Sequence, residues 1–362
     1  MKKILIDAYL AKNLGDDLFL KIVFDRYPDI EWHIITTDKT YNDTFSSYSN
    51  VVVHHDSLFH KIINRTDSLY KQRTQIFGRK YDALLKIGGS IFIQSTHWKK
   101  QVSLNRTLIQ SFKNNNRPVF ILGSNFGPFT DQEYLKVHKE MFRLCDDICF
   151  REQYSYNLFQ ELPNVRVAPD IVFSLKYRKK NKKKNTLGIS VIDLSEREDL
   201  VAYEKSYLKK HAELIKKFVT NGHEVTLFSF CELQKDTIAI EKILDLLDKD
   251  VLNRVKVAKY TGKIEEFLNE FASMESIIGC RFHSIILAMV FNQNFYPVIY
   301  SNKTYNVLKD LNLDKELTFI KHIDELNVEK VFEVIKDNKF RDHTIFNEAE
   351  KQFAKLDKYI GK

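Results

Sequence analysis

Arg281 and His283 stand two residues apart in SIIGCRFHSIILAMVF, residues 276–291, between two of the most apolar runs of the chain. A charge buried without a partner is costly, so an Arg in this setting has an anion to meet, either a structural carboxylate or a ligand. The pattern predicts a strand, a turn at Gly279 and a long apolar helix, which puts both side chains in the first helical turn. The positive end of the helix dipole is a poor store for cations alone and a good seat for an anion. Lys303, just after the apolar run FYPVIY, adds a third cation at the same rim.

Four further segments carry chemistry. In DAYLAKNLGDDLFLK a strand is expected to end near Asp7 and a helix to begin near Asp16 and Asp17, with Asn13 and Gly15 in the turn between. Either aspartate can cap the helix or accept a proton from a substrate hydroxyl. The loops KIGGS (residues 86–90) and GSNFGPF (123–129) each follow an apolar strand. Gly88, Gly89, Gly123 and Gly127 are four of only 11 glycines in the chain. Glycine suits backbone that comes close to a ligand or takes positive φ, and Ser90, Ser124 and Asn125 add polar groups for a substrate. In DDICFREQYS the strand delivers Arg151 to its C-terminal end, with Glu152 and Ser155 opening the next helix. Arg151 either pairs with Glu152 or Asp147 on the surface or faces a ligand. None of these loops is a G-x-G-x-x-G fingerprint or a P-loop.

Short apolar runs alternate with helical patterns through most of the chain, which predicts parallel sheets covered by helices. KILIDAY, EWHIITT, NVVVHH, ALLKIGG, RPVFILGS and DICFRE are the strands expected in a first domain, residues 1–176. YRKKNKKKNT, residues 177–186, breaks the composition with six Lys or Arg and is expected to be a basic linker. TLGISVI, EVTLFSF, RVKVAKY, SIIGC and FYPVIY build a second domain, 187–362, that ends in an amphipathic helix, HTIFNEAEKQFAKLDKYI. The fold class expected is α/β, two Rossmann-like doubly wound domains facing a cleft, a GT-B-like outline. Ligands of such sheets bind beyond the C-terminal ends of the strands.

Bulk properties narrow the function classes. With 362 residues, 44% hydrophobic and 29% charged, the chain suits two globular domains. No apolar run reaches the roughly 18 residues of a membrane span. Four scattered cysteines read as buried free thiols, pointing to a cytoplasmic protein, and no metal-ligand cluster is visible. The net charge of +8 suits an anionic ligand, an anionic membrane face or nucleic acid. Aromatics do not interleave with Arg and Lys, and no nucleic-acid module is recognisable. The basic linker offers peripheral contact with anionic lipid at the inner face of the membrane.

These segments, in this order, resemble the polysaccharide pyruvyl transferases: N-x-G-D-D at 13–17, G-G-S at 88–90, G-x-x-x-G-P at 123–128, R-E-x-x-S at 151–155, Pro-Asp at 169–170 and R-F-H at 281–283. Ser124 stands where the family often has Gln, and Asp170-Ile-Val-Phe where it often has Asp-Pro-Ala-Phe. The resemblance implies a GT-B-like enzyme that moves pyruvate from phosphoenolpyruvate to a sugar as a cyclic ketal, with no cofactor and no metal. The acceptor implied is a cell-surface polysaccharide or its lipid-linked precursor. By resemblance Arg151, Arg281 and His283 fall on donor-contacting and catalytic positions, with Asp16 and Asp17 beside them. Asn13, Gly15, the glycine loops, Glu152 and Lys303 then contact substrate. The alternative is a GT-B nucleotide-sugar glycosyltransferase, in which Glu265 or Glu266 serves the ribose.

Overall fold

The computed structural model describes residues 1–56, 67–177 and 181–362, and the chain divides into two compact units. The first comprises residues 1–10, 19–174 and 344–362; the second comprises 11–18 and 175–343. Each is built on one parallel sheet.

In the first unit β1 (Lys3–Ala8), β2 (Glu31–Thr36), β3 (Val51–His55), β4 (Ala83–Ile87), β5 (Val119–Ser124), β6 (Asp147–Phe150) and β7 (Val165–Val167) lie in the order β3-β2-β1-β4-β5-β6-β7. Strands buried on both faces need continuous apolar sequence, and β4, β5 and β6 are buried at every position. Strand order reverses between β1 and β4, where Asp7 pairs in register with Lys86 and accepts a hydrogen bond from its Nζ at 2.5 Å. β7 is too short to be legible as a strand and lies outside the predicted set.

The second unit holds β8 (Lys183–Ser190), β9 (Glu224–Ser229), β10 (Val255–Lys259), β11 (Met274–Gly279), β12 (Asn294–Ile299) and β13 (Thr318–Phe319), ordered β10-β9-β8-β11-β12-β13. Its order reverses between β8 and β11, the strand that leads to Arg281 and His283. The predicted helix after β8 is present at Glu204–Thr220 and stops at Asn221-Gly222, where Gly222 takes φ +88°.

The expected domain boundaries need correction in three places. The basic segment is not a linker to its end, because Lys183, Lys184, Asn185 and Thr186 are the first residues of β8; Arg178, Lys179 and Lys180 lie outside the described residues. Residues 11–18 count with the second unit: Asn13 forms an antiparallel bridge with Cys231, and the Leu14 N–H donates to the Phe230 carbonyl at 3.1 Å. Residues 344–362 count with the first unit, tied there by Arg26 and the Tyr27 hydroxyl, which donate to Asp357 at 2.7 Å. That tail is also not one helix: Thr344–Glu350 and Ala354–Ile360 flank a tighter turn at Lys351–Phe353. All four cysteines are free and buried, and no helix among the described residues is long and apolar enough to cross a membrane.

Candidate active site

The turn after β11 shows how Arg281 is set. Gly279 pairs with Ser190 in register, and the Ser190 hydroxyl accepts the N–H groups of Cys280 at 2.9 Å and Arg281 at 3.2 Å. Ser284 donates to the Arg281 carbonyl at 2.6 Å, closing the first turn of the helix Phe282–Val290. Behind the turn, Cys280 Sγ meets His211 Nε2 at 3.4 Å. Burial pushes this thiol up to about 12 and the imidazole down to about 4, so the pair is neutral.

Arg281 is 5% exposed and its anion is structural. Asp236, wholly buried, receives Nε at 3.1 Å on one oxygen and Nη2 on the other, while Nη1 donates to Gln234. Burial opposes the guanidinium's charge, but Asp236 more than offsets it and holds the Arg281 pKa above its usual value. Burial likewise raises the Asp236 carboxyl, against the pull of Arg281 and the N–H groups of Phe230 and Cys231, both at 3.0 Å. Three of the five guanidinium N–H groups are used in this way. Asp236 and Gln234 together fix the orientation of the fork.

Those same residues, Phe230 and Cys231, hold the Asn13 segment, so N-x-G-D-D and R-F-H meet within one unit. Asn13 Oδ1 accepts the Gly15 N–H at 3.0 Å, opening the helix Leu14–Arg26. Gly15 is required here by contact: a Cβ on it would lie 1.8 Å from His283 Nδ1. The imidazole is therefore seated on the Gly15 backbone. Asp17 is fully buried and accepts the Tyr260 hydroxyl at 2.6 Å, whereas Asp16 is half-buried. Lys303 stands 6.0 Å from the centre of the Tyr300 ring, and Arg197 stacks on it at 4.7 Å. Burial would raise this phenol, yet Lys303, Arg281 and Arg197 together draw it below its ordinary value.

The remaining motifs assemble in the first unit. Arg151, 4% exposed, donates to Asp170 at 2.8 Å and to Asn125 Oδ1 at 2.7 Å. Of the two surface partners foreseen for it, Asp147 is paired with Arg166, and Glu152 caps the next helix by accepting the Ser155 N–H at 3.1 Å. Burial raises the Asp170 carboxyl, opposed first by Arg151 and then by the Val172 N–H. A Cβ at Gly89 would come within 2.7 Å of the Arg151 guanidinium. Ser90 donates to Asn125 Oδ1 at 3.3 Å, and Ser124 to the Gly88 carbonyl at 3.0 Å. Gly123 and Gly127 take φ of +74° and +92°, as a tight loop around Asn125 demands. The Phe126 N–H donates to Ser155 at 2.7 Å, tying this loop to R-E-x-x-S.

Sequence reading missed Asp236, Gln234, Tyr300 and Arg197, and noted Asp170 only as part of a motif. Asp236 lies in a polar stretch, ELQKDT, whose local pattern has no sign of burial. Only tertiary folding reveals its partner, 45 residues away.

Comparison with solved structures establishes the fold. The chain is similar to a UDP-GlcNAc 2-epimerase from Methanocaldococcus jannaschii, with 12% identity, TM-score 0.63 and coverage of 98% of this chain and 99% of the other. It is similar to HepE of Anabaena solved with UDP, with 13% identity, TM-score 0.55 and coverage of 98% and 100%. The two parallel sheets are thus a GT-B-like fold. In sequence the chain is 20% identical to the amylovoran biosynthesis protein AmsJ of Erwinia amylovora, over 98% of this chain and 95% of that protein. A family model described as polysaccharide pyruvyl transferase matches residues 13–302, a span that begins at Asn13 and takes in both motif clusters. The chain belongs to the polysaccharide pyruvyl transferase family.

Proposed function

We propose that the protein transfers the enolpyruvyl group of phosphoenolpyruvate to two hydroxyls of one sugar, giving a cyclic pyruvate ketal and inorganic phosphate. Family membership carries the coarse part, a transferase of polysaccharide biosynthesis acting on a sugar-containing substrate. The observation that favours the finer part is the seating of His283 on Gly15, two residues from an Arg281 fork pre-set by Asp236.

Phosphoenolpyruvate is a small trianion, which suits an oriented guanidinium fork and a neighbouring Lys303. Bound there, its charge favours the imidazolium of His283. That proton goes to the methylene carbon, making the methyl group and leaving the adjacent carbon electrophilic. One sugar hydroxyl adds to that carbon, the C–O bond to phosphate breaks, and the second hydroxyl closes the ring. Of the two hydroxyl protons one leaves on the phosphate and the other goes to a base; Asp16, half-buried beside the same turn, is the base this reading favours over Asp17. Arg151 is proposed as an anion-holding group of the first unit, oriented by Asp170 and Asn125. The acceptor is a polysaccharide unit or its lipid-linked precursor.

The test is incubation of the protein with isotopically labelled phosphoenolpyruvate and acceptor saccharides, following phosphate release and label in the saccharide. A parallel incubation uses UDP-sugars. Sugar transfer from UDP-sugars with no consumption of phosphoenolpyruvate overturns the proposal.

A further inference from the structure

The tail of the first unit breaks its helical course at Lys351–Phe353, and Gln352 in that break is fully buried. Its side chain uses every polar position it has on three separate segments. Oε1 accepts the Gly123 N–H at 3.1 Å, and Nε2 faces the carbonyls of Ala168 at 2.8 Å, Pro169 at 3.1 Å and Phe150 at 3.2 Å. Each contact falls just before a motif residue: Gly123 precedes Ser124 and Asn125, Phe150 precedes Arg151, and Pro169 precedes Asp170. The backbone of Gln352 is itself fixed, since Arg166 donates to the carbonyls of Lys351 and Gln352 while paired to Asp147 at 2.7 Å.

We propose that Gln352 is a positioning residue, which sets the spacing of Asn125, Arg151 and Asp170 from beneath by joining the ends of β5, β6 and β7. The family model ends at residue 302, so this support comes from outside the matched span. The logic is that of a second layer of contacts: a guanidinium holds an anion well only when its own partners are held. An amide suits the place because it offers an acceptor and two donors without charge. Leucine fills similar volume and offers neither; glutamate keeps the acceptor for Gly123 and loses the amide donors.

The consequence for substrate rests on the reading of Arg151 as an anion-holding group; the consequence for backbone order does not. Hydrogen exchange of the full-length protein measures the second directly. In Gln352→Leu the amides of residues 123–127, 151–152 and 170–172 are expected to exchange at least about tenfold faster than in wild type, with residues 281–290 of the second unit unchanged. Gln352→Glu, which preserves polarity should the leucine variant fail to fold, is expected to show the same local loosening. The control is Phe353 on the same turn: Phe353→Leu trims apolar packing and leaves these amides protected. For substrate, titration with phosphoenolpyruvate is expected to show about tenfold weaker binding in both Gln352 variants, and kinetics a raised KM with a smaller fall in kcat. A merely structural role would reduce the folded fraction, lowering kcat at unchanged KM. Unchanged exchange in the three segments overturns the inference. Loosened segments in the Gln352 variants, with no binding of phosphoenolpyruvate by wild type, would sink the donor assignment and leave the positioning role standing.

Discussion

Among single residues the arrangement with most consequence is the contact of His283 with Gly15. Gly15→Ala places a methyl inside the space of the imidazole, and a side-chain ring yields more readily than backbone. The variant is therefore expected to stay folded and lose turnover, in the same direction as His283→Gln. For His283→Gln the loss expected is roughly 100-fold or more, the usual scale for a missing general acid. The decisive readout is phosphate release together with solvent deuterium in the product methyl group; near-normal turnover of the glutamine variant would make His283 structural. Arg281 behaves differently, because removing it strands Asp236. Arg281→Lys keeps a charge opposite Asp236 but loses the fork, and calorimetry should show donor binding weakened by about 2 kcal/mol. Asp236→Asn should destabilise the fold by about 3 kcal/mol or more, leaving a buried guanidinium without its counter-charge. Chemical denaturation measures that loss.

At the scale of elements, the turn from β11 into the helix Phe282–Val290 is the part that most needs its neighbours. Two consecutive backbone N–H groups, of Cys280 and Arg281, end on one hydroxyl of β8. Ser190→Ala takes the acceptor from the Arg281 N–H and leaves the Cys280 N–H only the Ser190 carbonyl at 3.3 Å, at an expected cost of about 2 kcal/mol, and it loosens the turn that carries Arg281 and His283. Denaturant midpoints and the KM for phosphoenolpyruvate should both shift; a change in neither would show that water replaces the hydroxyl. The basic segment before β8 belongs to this scale too. With Lys183 and Lys184 at the head of a strand and Lys182 donating to the Asn292 carbonyl, its cations are partly committed to the second unit. Neutralising residues 178–184 is expected to weaken any binding to anionic vesicles, the more so at low salt. Absence of vesicle binding by wild type at low salt would remove the membrane role.

For the molecule as a whole, buried histidines tie stability to pH. His138 and His211 are held down to about 4 by burial, and burial also lowers His33 and His54, which share a hydrogen bond at 2.8 Å. An unfolded imidazole titrates near 6.5, so below that pH the unfolded chain takes up protons that the folded one refuses. Stability is full above about 6.5 and falls as the pH drops toward 4. His138 and His211 should each cost on the order of 2 kcal/mol by pH 5. Denaturant unfolding at pH 7 and pH 5 measures the sum. His138→Phe should flatten the dependence, since a ring of similar shape carries no proton.

The order of apolar runs determined two parallel α/β sheets, because strands covered on both faces must be apolar throughout and their helices must alternate with them. The strand ends that carry glycine loops, Arg151 and Arg281 were legible for the same reason, as was the helix stop at Asn221-Gly222. Short pieces such as β7 and β13 were not, since two or three residues hold no period. The partners were not legible either. Asp236 and Asp170 sit far along the chain from Arg281 and Arg151, and a carboxylate carries no local mark of the cation it will meet. The same holds for the tail, whose amphipathic pattern is apolar on one side whichever unit it packs against. Charge type and spacing along the chain decided which residues could do chemistry. Which charges neutralise one another, which aspartate of the pair at 16–17 is buried, and where Gln352 ends depend on contacts over tens to hundreds of residues. Only the tertiary fold brings those groups within hydrogen-bond reach.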